Sequence, residues 1–337
     1  MSAPVASPLS AHGRAAGWQH ELADAVRDRR ELTRLLELPG DSGGEPAPAG
    51  FPLLVPRAFV ARMRKGDPRD PLLLQVLPVA DERREAAGFT ADPLAEQGAL
   101  AAPGLVKKYA GRALVLATGA CAVNCRYCFR RDFPYGESGA TRAGVEAAVA
   151  AIAADESIHE AILSGGDPLL LDDDRLARLV ESLEAIPHVR RLRIHSRLPI
   201  VLPSRVTDRL AAILAGTRLA TVVVVHANHP AEIDGSVAEA AARLAEARAI
   251  LLNQSVLLAG VNDSVAVLAA LSERLVEIGV IPYYLHLLDR VRGTAHFEVP
   301  EAEARRLHRE LSGTLSGYAV PRLVREVPGE PAKVWLA

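Results

Sequence analysis

Cysteine is scarce in this chain: three residues in 337, all between positions 121 and 128. An odd count without a secretory leader excludes a disulfide framework. Lysine is nearly as rare. Of 39 basic residues only four are lysines, Lys65, Lys107, Lys108 and Lys333. Arginine therefore carries almost all the positive charge, and arginine cannot form a Schiff base whereas lysine can. Neither sign of charge prevails, and a formal net charge of -2 offers nothing to nucleic acid or an anionic membrane. No apolar run approaches the roughly 18 to 20 residues of a membrane span. The Ala/Ser/Pro-rich start, Met1 to Gly17, lacks the continuous apolar core of a signal peptide. Free thiols without an export signal imply a cytoplasmic setting.

What the chain does have is a large apolar fraction, 49%, enough for one large domain or a core with an appendage. Residues 18–38 carry a helical pattern, with Leu22, Val26, Leu32, Leu35 and Leu36 at helical spacing. A loop-like Pro/Gly stretch follows at 39–50. From about 112 onward, short β-branched runs alternate with Ala/Leu/Arg-rich stretches. The predicted strands are 113–117, 160–163, 192–194, 220–225, 250–253 and 281–285. The predicted helices lie near 141–154, 173–185, 204–215, 234–248 and 264–278. This alternation argues for parallel βα units, wound into an open, incomplete barrel. Each strand runs into a polar cluster: Thr118 to Cys121, Ser164 to Asp167, His195 to Arg197, His226 to His229, Asn253 to Ser255, and His286 with Asp289. Barrel enzymes place their chemistry at these carboxyl ends.

The cysteines read Cys121-Ala-Val-Asn-Cys125-Arg-Tyr-Cys128. Structural zinc takes four protein ligands, and this spacing is not that of a zinc ribbon. Thiolates do hold cubane iron–sulfur clusters, usually in fours. With no fourth cysteine, such a cluster would keep one iron open to a small chelating ligand. Arg130 and Arg131 follow at once, suited to a carboxylate or to offsetting an anionic cluster. Gly165 and Gly166 let a ligand approach the backbone closely, and Asp167 can accept from an ammonium. His226 and His229 have no metal-spaced partner, so cofactor contacts or buried hydrogen bonds suit them better. His20, His159, His188 and His308 read as surface or structural residues. Lys333 ends a Pro/Gly-dominated loop that begins at Arg325.

Taken together these segments resemble the radical S-adenosylmethionine lysine 2,3-aminomutases. The resemblance rests on Cys121 to Arg131, Ser-Gly-Gly-Asp-Pro-Leu (164–169), Arg-Ile-His-Ser-Arg-Leu-Pro-Ile-Val (193–201), Leu-Asn-Gln-Ser-Val-Leu-Leu (252–258), Pro-Tyr-Tyr-Leu-His (282–286) and Ser-Gly-Tyr-Ala-Val-Pro (316–321). Val-Pro-Arg-Ala-Phe (55–59) and Gly-Phe-Thr-Ala-Asp-Pro-Leu (88–94) are similar to the subgroup that serves elongation factor P. The likeness covers roughly residues 18–333.

The resemblance implies a partial (β/α)6 barrel at 106–300, a mostly helical N-terminal extension at 1–105 and a C-terminal cofactor-binding segment at 301–337. It implies an isomerase that moves the amino group of L-lysine from C2 to C3, giving (R)-β-lysine by a 5′-deoxyadenosyl radical mechanism. Cys121, Cys125 and Cys128 would hold a 4Fe–4S cluster. Gly165, Gly166, Asp167, His226 and Gln254 would meet S-adenosylmethionine. Lys333 would form the Schiff base with pyridoxal 5′-phosphate, and Arg112 would meet its phosphate. Arg130 would take the substrate carboxylate, with Asp289 and Glu326 reading its ε-ammonium. A flavodoxin or ferredoxin would supply the electron, and a separate lysyl ligase would attach the product to elongation factor P. Glu326, where free-lysine enzymes usually have Asp, and Gly-Glu-Pro-Ala-Lys (329–333) favour that subgroup over a degradative aminomutase. The acidic pair argues against a glutamate-type enzyme. A non-catalytic iron–sulfur regulatory protein is the reading from another class. Four residues follow Lys333, without the longer assembly segment of the degradative enzymes, which leaves the oligomeric state open.

Overall fold

The structure is a computed structural model that describes residues 17–39, 48 and 50–337. The stretch before Gly17 and most of the predicted loop at 39–50 lie outside the described residues. The helical pattern of 18–38 resolves into two short helices, Gly17–Ala23 and Arg29–Leu35, rather than one. Val26 leaves the helix to bridge Val55, and the Asp28 side chain then caps the second helix by accepting from Glu31 N.

Ten strands form one mixed sheet in chain order: β1 (Leu100–Ala102), β2 (Leu105–Val106), β3 (Arg112–Thr118), β4 (Glu160–Gly165), β5 (Arg191–Ser196), β6 (Ala220–Val225), β7 (Ile250–Val256), β8 (Ile281–His286), β9 (Arg322–Arg325) and β10 (Val334–Trp335). β3 through β9 run parallel. β1 and β2 join them antiparallel at one edge and β10 at the other. The six predicted strands are β3–β8. β2 spans positions 105 and 106, and β9 pairs with β8 across the helix that begins at Glu301.

Helices Arg142–Ala154, Asp173–Glu184, Asp208–Gly216, Gly235–Glu246 and Val265–Glu277 connect the parallel strands. Each starts where a short polar side chain accepts from a first-turn N–H: Thr141, Asp172, Thr207, Asp234 and Ser264. These caps fix where each helix begins.

Successive strand residues point to opposite faces. One register is apolar. Ala161 and Leu163 of β4, Leu192 and Ile194 of β5, Val223 and Val225 of β6 and Leu251 of β7 pack in one core with Ile152, Leu176, Leu183, Leu210, Leu244 and Leu275 of the helices. Each fully buried Leu or Ile contributes about 1.5 to 3 kcal/mol. The other register is mixed and lines a cavity of about 660 Å³: Arg112, Glu160 and Ser164, Arg193 and His195, Gln254, and Tyr284 and His286 face it beside Leu114, Ile162, Val222 and Leu252. Helix Glu301–Thr314 covers β8 and β9 through a second core that includes Leu285, Leu307, Leu311, Leu323 and Leu336.

The N-terminal segment holds the cysteine loop in place. Asn124 N donates to Leu54 O at 3.0 Å, and its side chain donates to Pro52 O at 2.9 Å. Arg126 N donates to Gln75 O at 2.8 Å. The Arg126 side chain, fully buried, meets both oxygens of Glu82 at 2.8 and 2.5 Å, and Arg131 adds a bond of 2.6 Å to the same carboxylate. Removing the charge of Glu82 leaves two buried guanidiniums unanswered. Glu82→Gln is expected to lower unfolding free energy by about 3 to 5 kcal/mol in urea titrations. Glu146→Gln, at the exposed Arg142 pair, should change it by less than about 1 kcal/mol.

Candidate functional site

The cysteine motif forms the loop that leaves β3. Its three thiols line the cavity and feel one another's charge. Burial, and then the neighbouring sulfurs, push Cys121 well up and Cys128 up to about 11. Arg130 acts against this rise at both, and Arg131 at Cys128, without offsetting it. Among the described residues no three His, Cys, Asp or Glu side chains converge as around a single metal ion. A cubane asks for something else, since each thiolate binds a different iron and the ligands stand apart. Three cavity-facing sulfurs that share a charge burden fit that donor set. Arg197 Nη1 lies 2.8 Å from Cys125 Sγ, supplying one cation to the group. Arg197 is itself held by Gln75 Oε1 at 2.8 Å and Glu232 Oε2 at 3.3 Å.

The Gly-Gly-Asp turn sits against this loop, and its glycines are required by the loop's own backbone. A Cβ on Gly166 would lie 2.0 Å from Ala120 O, and one on Gly165, whose φ is +117°, 2.4 Å from Thr118 O. The close approach is by the cysteine loop's own backbone, with Gly166 N donating to Thr118 O and Asp167 N to Ala120 O. Asp167 is likewise engaged within the protein. Its carboxylate accepts from Leu169 N, Ser196 Oγ, Arg197 N and Leu198 N at 2.7 to 3.2 Å, tying β4 to β5. Burial raises it to about 6 against those four bonds.

His226 and Gln254, at the ends of β6 and β7, both face the cavity. Burial drives His226 down to about 3, so the ring is neutral, and its Nε2 has no hydrogen-bond partner among the described residues. His286 Nε2 is in the same position. Such orphaned atoms suit a polar ligand. His229 turns away from this role and caps residues 230–232, its Nδ1 accepting from Ala231 N at 3.1 Å. His308 and His188 hydrogen-bond to backbone carbonyls.

Lys333 stands at the start of β10, not on a frayed end. Val334 and Trp335 pair with Arg325 and Val324, and Leu336 is buried, its N donating to Leu323 O at 2.9 Å. Lys333 Nζ meets Glu326 Oε2 at 2.5 Å. The other oxygen of Glu326 meets Lys108 Nζ at 2.7 Å. Lys108 also reaches Glu96 Oε1 at 3.1 Å, and Glu96 grips Arg130 with both oxygens, at 2.6 and 3.0 Å. Burial acts to raise Glu96 and Glu326, but these cations outweigh it and hold both below the usual carboxylate range. Asp289 has no such bond among the described residues. Loss of hydration, then the charge of Glu326, push it up to about 7.

Arg130 also gives Nη1 to Ser164 Oγ at 3.0 Å and to Gly165 O at 3.2 Å. Four bonds therefore occupy a guanidinium with five N–H groups. Arg112 lies at the amino end of β3, away from the strand ends where the polar clusters gather. Its guanidinium stacks 4.5 Å from the centre of the Tyr109 ring and forms no ion pair or hydrogen bond with the described residues. All the predicted site residues thus line one cavity. Glu96 and Lys108 were missed by sequence reasoning. The scarcity of lysine was the available signal for Lys108, and Glu96 lies two residues beyond the 88–94 motif.

Three cysteines and an ion-paired lysine thus share one cavity on the parallel part of an α/β sheet, a donor set suited to an iron–sulfur enzyme. The family model described as a 4Fe-4S single cluster domain matches residues 109–190. The L-lysine 2,3-aminomutase of Escherichia coli (strain K12) is 50% identical over 319 residues, covering 94% of this chain and 93% of its own. That of Haemophilus influenzae is 48% identical over 95% of each chain. Among solved structures, a radical SAM methyltransferase from Sphaerobacter thermophilus superposes with a TM-score of 0.46 at 18% identity, over 66% of this chain and 68% of that one. This chain belongs to the L-lysine 2,3-aminomutase family, isomerases of the radical S-adenosylmethionine type. Among the described residues no helix is long and apolar enough to cross a membrane.

Two outcomes are expected. Gly166→Ala forces the cysteine loop to move, so iron bound per chain after anaerobic reconstitution should fall sharply, while Gly136→Ala, with open space at its Cβ, should keep it. Asp289 favours its neutral form in the folded chain, so its contribution is full below about pH 4 and is lost as pH rises through about 7. In the cofactor-free protein, Asp289→Asn should therefore gain in melting temperature relative to wild type as pH rises from about 4 to about 7, the span of that loss.

Proposed function

We propose that this enzyme converts (S)-α-lysine to (R)-β-lysine for the modification of elongation factor P, using a 4Fe–4S cluster, S-adenosylmethionine and pyridoxal 5′-phosphate. The observation that carries this reading is the single cavity that joins Cys121, Cys125 and Cys128 to Lys333, Glu326 and Arg112. The sequential parallel order of β3–β8, with helices on one face and the cavity on the other, supports a partial (β/α)6 barrel. Residues 1–105 would be its extension and 301–337 its cofactor-binding segment.

In this reading the three cysteines hold the cluster. His226 Nε2 and Gln254 contact S-adenosylmethionine beside it, with the Gly165–Gly166 backbone and Asp167 shaping that end of the pocket. Lys333 would hold pyridoxal phosphate, and Arg112, without an ion pair or hydrogen bond among the described residues, would answer its phosphate. When bound, the cluster and S-adenosylmethionine supply a hydrogen-abstracting radical, and pyridoxal phosphate supplies a conjugated ring that delocalises an unpaired electron. The protein binds, orients and excludes water. Arg130 offers the substrate carboxylate its charge and its remaining N–H. Asp289 and Glu326 take the ε-ammonium at the other end. His195, His226 and His286, each driven down by burial, stay neutral and add no competing cation beside that ammonium. A one-electron donor such as flavodoxin or ferredoxin, and a ligase that passes the product to elongation factor P, complete the scheme.

Anaerobic incubation of reconstituted enzyme with L-lysine, S-adenosylmethionine, pyridoxal phosphate and a reductant should yield β-lysine, with the (R) isomer on chiral analysis. The (S) isomer would remove the link to elongation factor P. No β-lysine, with cluster and bound pyridoxal phosphate both demonstrated, would sink the activity. Borohydride reduction and peptide mapping should place the pyridoxyl group on Lys333, and Lys333→Ala should abolish that label.

A further inference from the structure

We propose that Lys108 is a positioning residue for the distal ammonium of the substrate, and that with Glu96 it sets the separation between the two charged ends of the substrate site. This inference rests on the lysine-isomerising reading above.

Four side chains form a continuous line of alternating charge: Arg130, Glu96, Lys108 and Glu326. The ends of that line are the cation assigned to the substrate carboxylate and an anion assigned to its ammonium. Lys108 is the link between them, 3.1 Å from one carboxylate and 2.7 Å from the other. Its side chain is 16% exposed, and those of Glu96 and Glu326 are 4% and 13% exposed. Few surrounding waters are available to replace any member. Its neighbour Lys107 points elsewhere, to Asp155 and Ser157 at the surface, so the line is not a general property of the Lys-Lys pair.

Glu326 divides its two oxygens between two lysines that meet different fates. Oε2 faces Lys333. Once the Lys333 nitrogen is committed to a carbonyl cofactor it is no longer a free ammonium, and Oε2 is left for the incoming substrate ammonium. Oε1 stays with Lys108, which has no such second task. Lys108 is then the counter-ion that keeps Glu326 charged and aimed before substrate arrives. Glu96 fixes where Lys108 stands, because its own carboxylate is locked to Arg130 by two bonds. A substrate shorter by one methylene can satisfy one end of this line but not both.

The test is steady-state kinetics of the holoenzyme with L-lysine and with its one-carbon-shorter homologue, ornithine. In Lys108→Met the KM for lysine should rise at least about tenfold with a smaller change in kcat, and the preference for lysine over ornithine should narrow to a similar degree. Lys108→Arg should restore part of both. Glu96→Gln should narrow the preference as well, because it uncouples Lys108 from Arg130. A folded, cofactor-loaded Lys108→Met enzyme with KM and preference within about twofold of wild type would overturn the proposal, even if its melting temperature fell. If Lys108→Met does not fold, Lys108→Arg and Glu96→Gln decide the matter by the same ratio, and an unchanged preference in both overturns it. If wild type binds lysine by calorimetry but does not isomerise it, the functional reading fails separately. The ratio of lysine to ornithine dissociation constants in wild type and variants then decides this proposal.

Discussion

Moving a carboxylate or guanidinium out of water costs several kcal/mol unless an opposite charge stands beside it. This protein withdraws many such groups, and their pairing organises the rest of the structure. Glu82 answers Arg126 and Arg131 beneath the cysteine loop. Glu232 answers Arg197, whose guanidinium reaches Cys125. Glu96 and Glu326 alternate with Arg130, Lys108 and Lys333 along the far side of the cavity. Apart from Glu326 and Lys333, which share the C-terminal hairpin, the partners come from different segments of the chain. The pairs therefore hold the N-terminal segment, the cysteine loop and the C-terminal hairpin against the sheet as well as balancing charge.

The sheet makes that arrangement possible through the two-residue repeat of its strands. One register is buried against helices and supplies cohesion. The other carries arginine, glutamate and histidine, whose placement there would be prohibitive without a polar cavity to face. Asp289 shows the limit of the compensation. Lacking a bonded partner, and close to the charge of Glu326, it is the carboxylate that yields and keeps its proton up to about pH 7. Asp167 yields less, to about 6, because four donors surround it.

Much of this was legible in the chain before folding. β3–β8 were read to within a few residues at either end, because short apolar, β-branched runs alternate there with Ala/Leu/Arg-rich helical stretches. The cysteine triplet and Lys333 were singled out because the chain contains so few of either residue. What was not legible depended on contacts between distant segments. The hairpin β1–β2 and the pair β9–β10 are two to four residues long, too short to show a period, and they exist because a sheet edge was there to pair with. The helix expected over 18–38 is broken because Val26 bridges Val55, a partner that no local pattern announces. That Gly165 and Gly166 also make room for the carbonyls of Thr118 and Ala120 shows only once the two loops meet.

The sequence by itself determined which chemistry is available: three sulfurs, one lysine on a restrained loop, and strands that end in polar groups. Those follow from composition and local spacing, which folding does not alter. Only the tertiary structure decided which charges stand together. Glu96 and Lys108 look like ordinary polar residues in the chain and become links between Arg130 and Glu326 once four segments meet. The physical reason is that a charge pair forms through space at about 3 Å, and separation along the chain carries no information about which residues will reach that distance.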